Sequence, residues 1–173
     1  MSDGICEIQV DTTTGILTAG PVAVPCRIGK AGAVPDAEKR EGDGATPLGR
    51  YRLMTLLVRP DRLQRPRTAL PWRWLSQSDG WSDAVGDPAY NRSVRHPRFA
   101  SAERLWREDG LYDLIVTTSH NTPPVAGRGS AIFFHCTVDG RDHTEGCVAI
   151  ERDILWSLLP KLSAETWIVI GAS

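Results

Sequence analysis

Residues 129–150, GSAIFFHCTVDGRDHTEGCVAI, are the stretch that decides the expected fold and chemistry of this chain. An apolar run ends at His135, and a second apolar run opens at Cys147, twelve residues after the histidine. Short apolar runs bounded by glycine and polar residues are typical of buried β-strands. The imidazole of His135 and the thiol of Cys147 are therefore expected at neighbouring strand ends, joined by a polar loop.

A histidine beside a cysteine supports nucleophilic catalysis. A free cysteine has a pKa of about 8.5 and becomes a strong nucleophile only when its proton is removed, which a nearby imidazole can do. The pair predicts acyl transfer through a thioester, with Cys147 as nucleophile and His135 as general base. Because Gly146 lets the backbone approach closely, the amides of Gly146 and Cys147 are candidates for an oxyanion hole. Thr144 and Glu145 add supporting polar groups beside the thiol.

The same residues resemble the signature of the YkuD-type L,D-transpeptidases, in which a histidine closing an apolar strand precedes a Ser/Thr-x-Gly-Cys element. A second match is residues 42–51, GDGATPLGRY, which resemble the Thr-Pro-x-Gly-x-aromatic element of that family. The resemblance runs from about Lys39 to the C-terminus and is to short, single-domain members. It implies a single, mainly β domain over residues 1–173, with one or two helices and a mixed β-sandwich fold. The commoner family pattern has histidine where this chain has Glu145, so the acyl acceptor stays open.

The resemblance also implies an activity: a cysteine-dependent L,D-transpeptidase acting on peptidoglycan stem peptides, without a cofactor. An L,D-carboxypeptidase, an endopeptidase or an amino-acid exchange enzyme would use the same thioester with another acceptor. In the family, a backbone carbonyl just after the histidine often orients the base. Here that group is the carbonyl of Cys136, and the side chain of Asp139 is an alternative. His143 competes with His135 as the base, although His135 ends the strand and matches the family position.

Loop aromatic and polar residues are the expected contacts to a peptide substrate. Aromatic side chains pack against sugar or peptide, and an arginine such as Arg141 can bind a carboxylate bidentately. Trp81 and Tyr112 are equally consistent with core packing. Thr46, Pro47 and Gly49 are expected to form a turn beside the cleft. The candidate substrate contacts are Trp81, Asp83, Tyr90, Asn91, Tyr112, His120, Asn121 and Arg141.

Composition excludes several other classes of protein. The formal net charge of −1 provides no field that favours nucleic acid or an anionic membrane, and the arginines between residues 59 and 73 are predicted to lie in a solvated loop. No apolar stretch is long enough for a membrane span. The N-terminus shows no signal peptide, so a cytoplasmic location stays open beside the periplasm or cell wall that peptidoglycan chemistry implies. Cys6 and Cys26 are a candidate disulfide only in an exported protein, and the oligomeric state is not predicted.

The pattern of apolar and turn residues predicts a β-rich chain with little helix. A helix is predicted over residues 151–162, to be ended or kinked at Leu159 because Pro160 follows. One or two helical turns are expected at residues 101–107. Residues 60–96 show little periodicity and are expected to form a long irregular insertion. The predicted strands are residues 5–10, 16–18, 21–28, 51–58, 111–118, 130–135, 148–150 and 167–170.

A zinc site is the rival interpretation of the central motif. His135, Cys136, His143 and Cys147 together offer two nitrogens and two sulfurs, enough for a tetrahedral site. Adjacent residues of a strand point to opposite faces, which separates His135 from Cys136 and disfavours zinc. A non-catalytic wall-binding domain is the third interpretation.

Overall fold

The computed structural model describes residues 4–172, and most of their regular structure is β-sheet. The strands are β1 (Glu7–Asp11), β2 (Ile16–Ala19), β3 (Val22–Pro25), β4 (Ala33–Pro35), β5 (Thr46–Val58), β6 (Trp72–Trp74), β7 (Asp79–Ser82), β8 (Ser93–Arg95), β9 (Ala102–Arg104), β10 (Leu114–Thr118), β11 (Phe133–Thr137), β12 (Val148–Glu151) and β13 (Trp167–Gly171). Within the described residues there is one α-helix, α1 (Arg152–Leu158), and there are 3-10 turns at Asp36–Glu38 and Leu159–Lys161. The mainly β fold predicted from the sequence is confirmed.

The long strand β5 joins the two parts of the main sheet. Residues 49–52 of β5 pair antiparallel with β13, whereas residues 53–58 pair antiparallel with β10. The strand order is β12, β11, β10, β5, β13, β1, β2 and β3, and both β4 and β6 pair in parallel with β5. The sheet is mixed, because β11 and β12 run parallel while β10 and β11 run antiparallel.

The main core brings the two ends of this sheet together beneath α1. Ile8 and Leu17 from one end belong to the same buried cluster as Phe134 from the other end and Leu155 of α1. The α-helix ends at Leu158, and Pro160 lies in the 3-10 turn that follows, where its missing N–H is tolerated. The predicted end of the helix near the proline is confirmed.

The insertion expected at residues 60–96 is mostly irregular, as predicted, but it contributes two strands to a small second sheet that was not predicted. Residues 60–96 contain β6, β7 and β8, and an antiparallel sheet forms in the order β8, β7 and β9. The helical turns predicted at residues 101–107 are wrong, because residues 102–104 form β9 and pair with residues 80–82 of β7. Strands of three or four residues are too short to show a clear period of two, and their hydrogen bonds come from distant parts of the chain.

One arginine of the segment between residues 59 and 73 does not lie in a solvated loop as predicted. Arg59 is not solvated: it is 1% exposed, its guanidinium lies 3.9 Å above the Trp106 ring, and it pairs with Asp61.

Cys6 is exposed and Cys26 is buried, and both are free thiols. No helix in residues 4–172 combines the length and apolar character that crossing a membrane requires.

Candidate active site

Strands β11 and β12 present one face to the core and the other to a cavity. Cys136 of β11 and Val148 and Ile150 of β12 are buried in the main core. Because side chains alternate along a strand, His135 and Cys147 lie on the opposite face. Both residues line a cavity of about 740 Å³. The structure therefore places the imidazole and the thiol in the lining of one cavity, as the sequence pattern predicts.

Two backbone carbonyls orient the His135 ring. Its Nδ1 lies 2.7 Å from the carbonyl oxygen of Cys136 and 3.2 Å from that of Leu111. Two acceptors at Nδ1 require the proton there, which leaves Nε2 as the basic nitrogen. The Leu111 carbonyl was not predicted, and Asp139 does not orient the base because it lines a separate surface pocket. Tyr112 packs edge-on against the imidazole, with ring centroids 5.0 Å apart.

The sulfur of Cys147 is held between two backbone groups. Its thiol donates to the Ala131 carbonyl at 3.0 Å, and the Phe133 N–H donates to Sγ at 3.3 Å. We call these two contacts the thiol clamp. Burial, followed by the nearby carboxylate of Glu103, raises the pKa of Cys147 to about 12. Burial lowers the pKa of His135 to about 4. The resting pair is therefore a neutral thiol and a neutral imidazole, which fits proton transfer during attack rather than a preformed thiolate.

Thr144 folds the loop that precedes the nucleophile. Its Oγ1 accepts the Gly146 N–H at 3.0 Å and donates to the Cys147 carbonyl at 2.8 Å. Because the Gly146 amide is already bonded to Thr144, the structure favours the Cys147 amide as the candidate for the oxyanion hole, which stays a prediction. Glu145 is exposed and forms a salt bridge with Lys30 at 2.7 Å. This salt bridge ties the outer edge of the loop to Lys30.

Thr46 supports the same loop from the protein interior. It is fully buried, and its Oγ1 accepts the Gly29 N–H at 2.8 Å and donates to the Gly146 carbonyl at 2.9 Å. Gly146 has a φ of 136°, and a Cβ there would lie 2.8 Å from the carbonyl oxygen of Ala45, so the close approach requires glycine. The turn predicted for Thr46, Pro47 and Gly49 is instead the beginning of β5.

The cavity includes three of the eight predicted substrate contacts, namely Asp83, Tyr112 and Arg141. The Oδ1 atom of Asp83 is buried without a hydrogen-bond partner among the described residues. The Tyr112 hydroxyl donates to Glu103. Arg141 is exposed and reaches to within 4.0 Å of Asp109. These three residues line the cavity, and their contact with a substrate stays a prediction.

The other five predicted contacts lie outside the cavity lining and have structural partners, and their contact with a substrate stays a prediction. The Trp81 ring packs edge-on against Phe133, and the Tyr90 hydroxyl donates to Glu41. The Asn121 side chain closes its own loop by bonding the backbone of residues 125 and 129. His120 is buried beside Asp36 near a different pocket. Asn91 is buried, and its amide bonds backbone groups and the Trp81 indole.

Sequence reasoning missed five charged residues of the cavity, namely Lys39, Glu41, Glu103, Arg107 and Asp142. Glu103 lines it close to Cys147, and burial raises the pKa of its carboxyl. Lys39 is 2% exposed and binds Asp43, and Arg107 lies over the Tyr112 ring at 5.5 Å. Glu103 and Arg107 belong to the segment predicted as helical turns, so no sequence signal directed them to the cavity.

The zinc interpretation is not supported by the placement of its ligands. Cys136 contacts the Leu114 carbonyl through its sulfur on the core face, whereas His135, His143 and Cys147 line the cavity. Among residues 4–172, no group of three or more histidine, cysteine, aspartate or glutamate side chains converges in a way that could hold a metal ion. The strand alternation that separates His135 from Cys136 is the physical reason.

The family of this chain follows from its sequence profile. The YkuD profile, which describes the L,D-transpeptidase catalytic domain, matches residues 8–170. The chain belongs to the YkuD family. No curated protein matches the sequence significantly.

Three solved structures to which this chain is similar are of larger proteins. This YkuD domain is similar to Bdellovibrio bacteriovorus Bd1075, with a TM-score of 0.52 and 18% identity over 98% of this chain and 48% of that chain. L,D-transpeptidase 1 from Mycobacterium tuberculosis gives a TM-score of 0.45 and 11% identity over 97% of this chain and 59% of that chain. The L,D-transpeptidase from Mycobacterium smegmatis gives a TM-score of 0.43 and 12% identity over 96% of this chain and 58% of that chain. The chain thus spans about half to three fifths of these proteins, and the likeness to Bd1075 supports the fold alone.

The Thr46 contacts lead to a prediction for this YkuD domain. Thr46→Val keeps the shape of the side chain but leaves the buried Gly29 N–H and Gly146 carbonyl without their partner. We expect the free energy of unfolding to fall by about 2–4 kcal/mol and turnover to fall because the loop carrying Cys147 shifts. Chemical denaturation and turnover assays check both effects. Thr55→Val in the middle of β5 is the control, and equal losses in both variants would contradict a specific role for Thr46.

Buried histidines should make the YkuD domain sensitive to acid. Burial lowers the pKa of both His120 and His135 to about 4, whereas histidine in an unfolded chain titrates near about 6.5. Between these values the unfolded chain binds protons that the folded chain does not, so the free energy of unfolding falls as the pH decreases. We expect the midpoint temperature of thermal unfolding to decrease as the pH is lowered from about 6.5 to about 4. His120→Gln should reduce the dependence of this midpoint on pH, whereas His143→Gln, at an exposed position, should not. Identical pH dependence in the wild type and both variants would refute the role of His120 in acid sensitivity.

Proposed function

We propose that this chain is a cysteine-dependent L,D-transpeptidase that acts on peptidoglycan stem peptides through a thioester acyl-enzyme. The observation that carries the proposal is the shared cavity of Cys147 and His135, in which backbone carbonyls engage Nδ1 of the histidine and leave Nε2 as the base. Membership of the YkuD family supports the class of substrate. On this proposal we expect the reaction in the periplasm or at the cell wall, and a cytoplasmic location stays open.

The acylation step follows from the neutral state of the pair. Nε2 of His135 takes the proton from Sγ as the sulfur attacks the donor carbonyl carbon and the C–S bond forms. The carbonyl electrons move to oxygen, and the Cys147 amide is the candidate donor to that oxyanion. Collapse of the intermediate breaks the C–N bond, and His135 returns its proton to the leaving amine. The product is a thioester and a released amine.

The second step transfers the acyl group to an acceptor. An amine of another stem attacks the thioester carbon, His135 removes a proton from that amine, and the C–S bond breaks as an amide forms. The proton on His135 then returns to the sulfur. Water as acceptor produces a carboxylic acid instead, and a free amino acid produces an exchanged stem. Acidic and basic side chains both line the cavity, among them Glu103 and Arg141, which suits peptides that carry free amino and carboxyl groups.

Mass spectrometry of muropeptides tests the proposal. Purified disaccharide tetrapeptides are incubated with the wild-type protein and, in parallel, with Cys147→Ala. We expect a crosslinked dimer only with the wild type, and fragmentation of the dimer identifies the bond formed. Loss of one residue without a dimer would replace the transpeptidase with a peptidase, and an unchanged muropeptide in the wild-type sample would contradict both.

A further inference from the structure

The segment that forms the thiol clamp has an unusual backbone conformation. Ala131 has a φ of 53°, a left-handed region that residues with a Cβ rarely adopt. Its carbonyl is turned so that it accepts the Cys147 thiol proton, while the Phe133 N–H reaches the same sulfur. Strained backbone of this kind persists only where surrounding contacts impose it. The contacts that impose the conformation of Ala131 therefore also determine where the sulfur points.

Asn91 supplies the main contact to Ala131. Its Oδ1 accepts the Ala131 N–H at 3.1 Å and the Trp81 Nε1–H at 2.9 Å. Its Nδ2 donates to the carbonyls of His120 at 3.2 Å and Asn121 at 3.1 Å. An asparagine side chain has two donor hydrogens and one acceptor oxygen with two lone pairs, and all four are used here. With 8% of its surface exposed, Asn91 is a fully bonded junction between the β7–β8 region and the clamp.

A second contact fixes the next residue of the same segment. The Thr118 hydroxyl donates to the Ile132 carbonyl at 2.6 Å, and Phe133 then pairs with β10 as the first residue of β11. Residues 131–133 are thus held at both ends. Asn91 holds Ala131, whose carbonyl accepts the hydrogen bond from the Cys147 thiol. Strand β10 holds Ile132 and Phe133, which lead to His135.

We propose that Asn91 is a positioning residue for Cys147: through the backbone of Ala131 it keeps the Cys147 thiol donating to the Ala131 carbonyl and directs the sulfur towards the cavity. The Ala131 contact of the clamp stabilises the neutral thiol, because a carbonyl oxygen attracts S–H and repels a thiolate. When the base removes the proton, the bond to Ala131 is lost, while the Phe133 N–H can still donate to the sulfur. Asn91 thereby sets both the protonation and the direction of the nucleophile. For catalysis this inference rests on the proposed function, but its effect on the thiol does not.

This role has a signature that a purely structural role lacks. A variant that merely loosened the fold would lower turnover without a specific change in the acidity of one thiol. Loss of the Ala131 contact removes a hydrogen bond to the neutral form, while the Phe133 N–H still favours the thiolate, so Cys147 should ionise at lower pH. The thiol should therefore become more reactive towards a small alkylating agent while it becomes less effective towards the peptide substrate.

The test compares two asparagines that share backbone conformation and bonding pattern. Asn91 and Asn121 have φ values of 54° and 49°, and both bond backbone groups through their side-chain amides, so glycine removes either side chain without new backbone strain. Iodoacetamide labelling is measured against pH, and mass spectrometry quantifies the peptide containing Cys147 because the exposed Cys6 also reacts. We expect Asn91→Gly to move the labelling midpoint down by about one pH unit and to lower turnover by about tenfold or more. Asn121→Gly should keep the wild-type midpoint.

Several outcomes would overturn the inference. They are an unchanged midpoint in Asn91→Gly, an equal shift in both variants, and full turnover in Asn91→Gly. Asn91→Asp keeps an acceptor oxygen for the Ala131 N–H, so its midpoint should not fall below that of the wild type, and a fall would count against the role. If Asn91→Gly does not fold, Asn91→Ala removes the same acceptor from the Ala131 N–H and should shift the midpoint downward. Thr118→Val releases only the Ile132–Phe133 end, whose N–H favours the thiolate, and should not lower the midpoint. No shift in Asn91→Ala, or a fall in Thr118→Val, refutes the role of the Ala131 contact. Absence of wild-type turnover would contradict the proposed function, and the labelling midpoint would still decide this inference.

Discussion

Cys147→Ala is expected to reduce acyl transfer by about 10⁴-fold or more, because removal of a nucleophile leaves only binding and oxyanion contacts to accelerate the reaction. The substitution removes one sulfur atom from a buried site where it contacts two backbone groups. The fold should survive with a loss of about 1–2 kcal/mol in the free energy of unfolding. Turnover of muropeptides and the intact mass of the trapped acyl-enzyme measure the effect.

Cys136→Ala is the matched control for this substitution. Cys136 is also buried, and it lies on β11 beside His135, but its sulfur faces the core and contacts the Leu114 carbonyl. The control should lose a similar amount of stability and keep most of the wild-type turnover. Turnover that survives in Cys147→Ala, or an acyl adduct found on another residue, would remove Cys147 from the mechanism.

His135→Asn is expected to lower turnover by about 10²–10⁴-fold, since it removes the general base. Asparagine retains an N–H donor for the Cys136 carbonyl, which His135 contacts at 2.7 Å through Nδ1, and it offers no basic nitrogen. Because burial lowers the pKa of His135 to about 4, the acid limb of the pH–rate profile in the wild type should lie near that value rather than near 6.5. Turnover measured from about pH 3 to pH 8 checks both statements.

His143→Asn separates the two histidines of the cavity. Both line the cavity, but His143 lies on the exposed loop. His135 is only 4% exposed, and its Nδ1 contacts two backbone carbonyls. We expect His143→Asn to change turnover by less than about twofold. A large loss in this variant, with a small one in His135→Asn, would reverse the assignment of the base.

Patterns within a few residues were sufficient to predict several elements. The apolar run before His135 predicted β11, Gly146 before Cys147 predicted a close backbone approach, and Pro160 predicted the end of α1. Boundaries moved where the tertiary structure intervened. The strand expected from residue 130 begins at Phe133, because Ala131 is held in a left-handed conformation. Burial of polar side chains was the other failure, since Asn91 and His120 are enclosed by residues distant in sequence.

By itself the sequence determined the family, the mainly β fold, and the cysteine and histidine that face one cavity, because alternation along a strand and the residues next to a nucleophile are local properties. Only the tertiary structure decided which other side chains reach that cavity and which support it. Glu103 lines it because β9 pairs with β7, and Asn91 bonds Ala131 across 40 residues of chain. Such contacts depend on how short strands pair over long sequence separations, and no local pattern specifies that pairing.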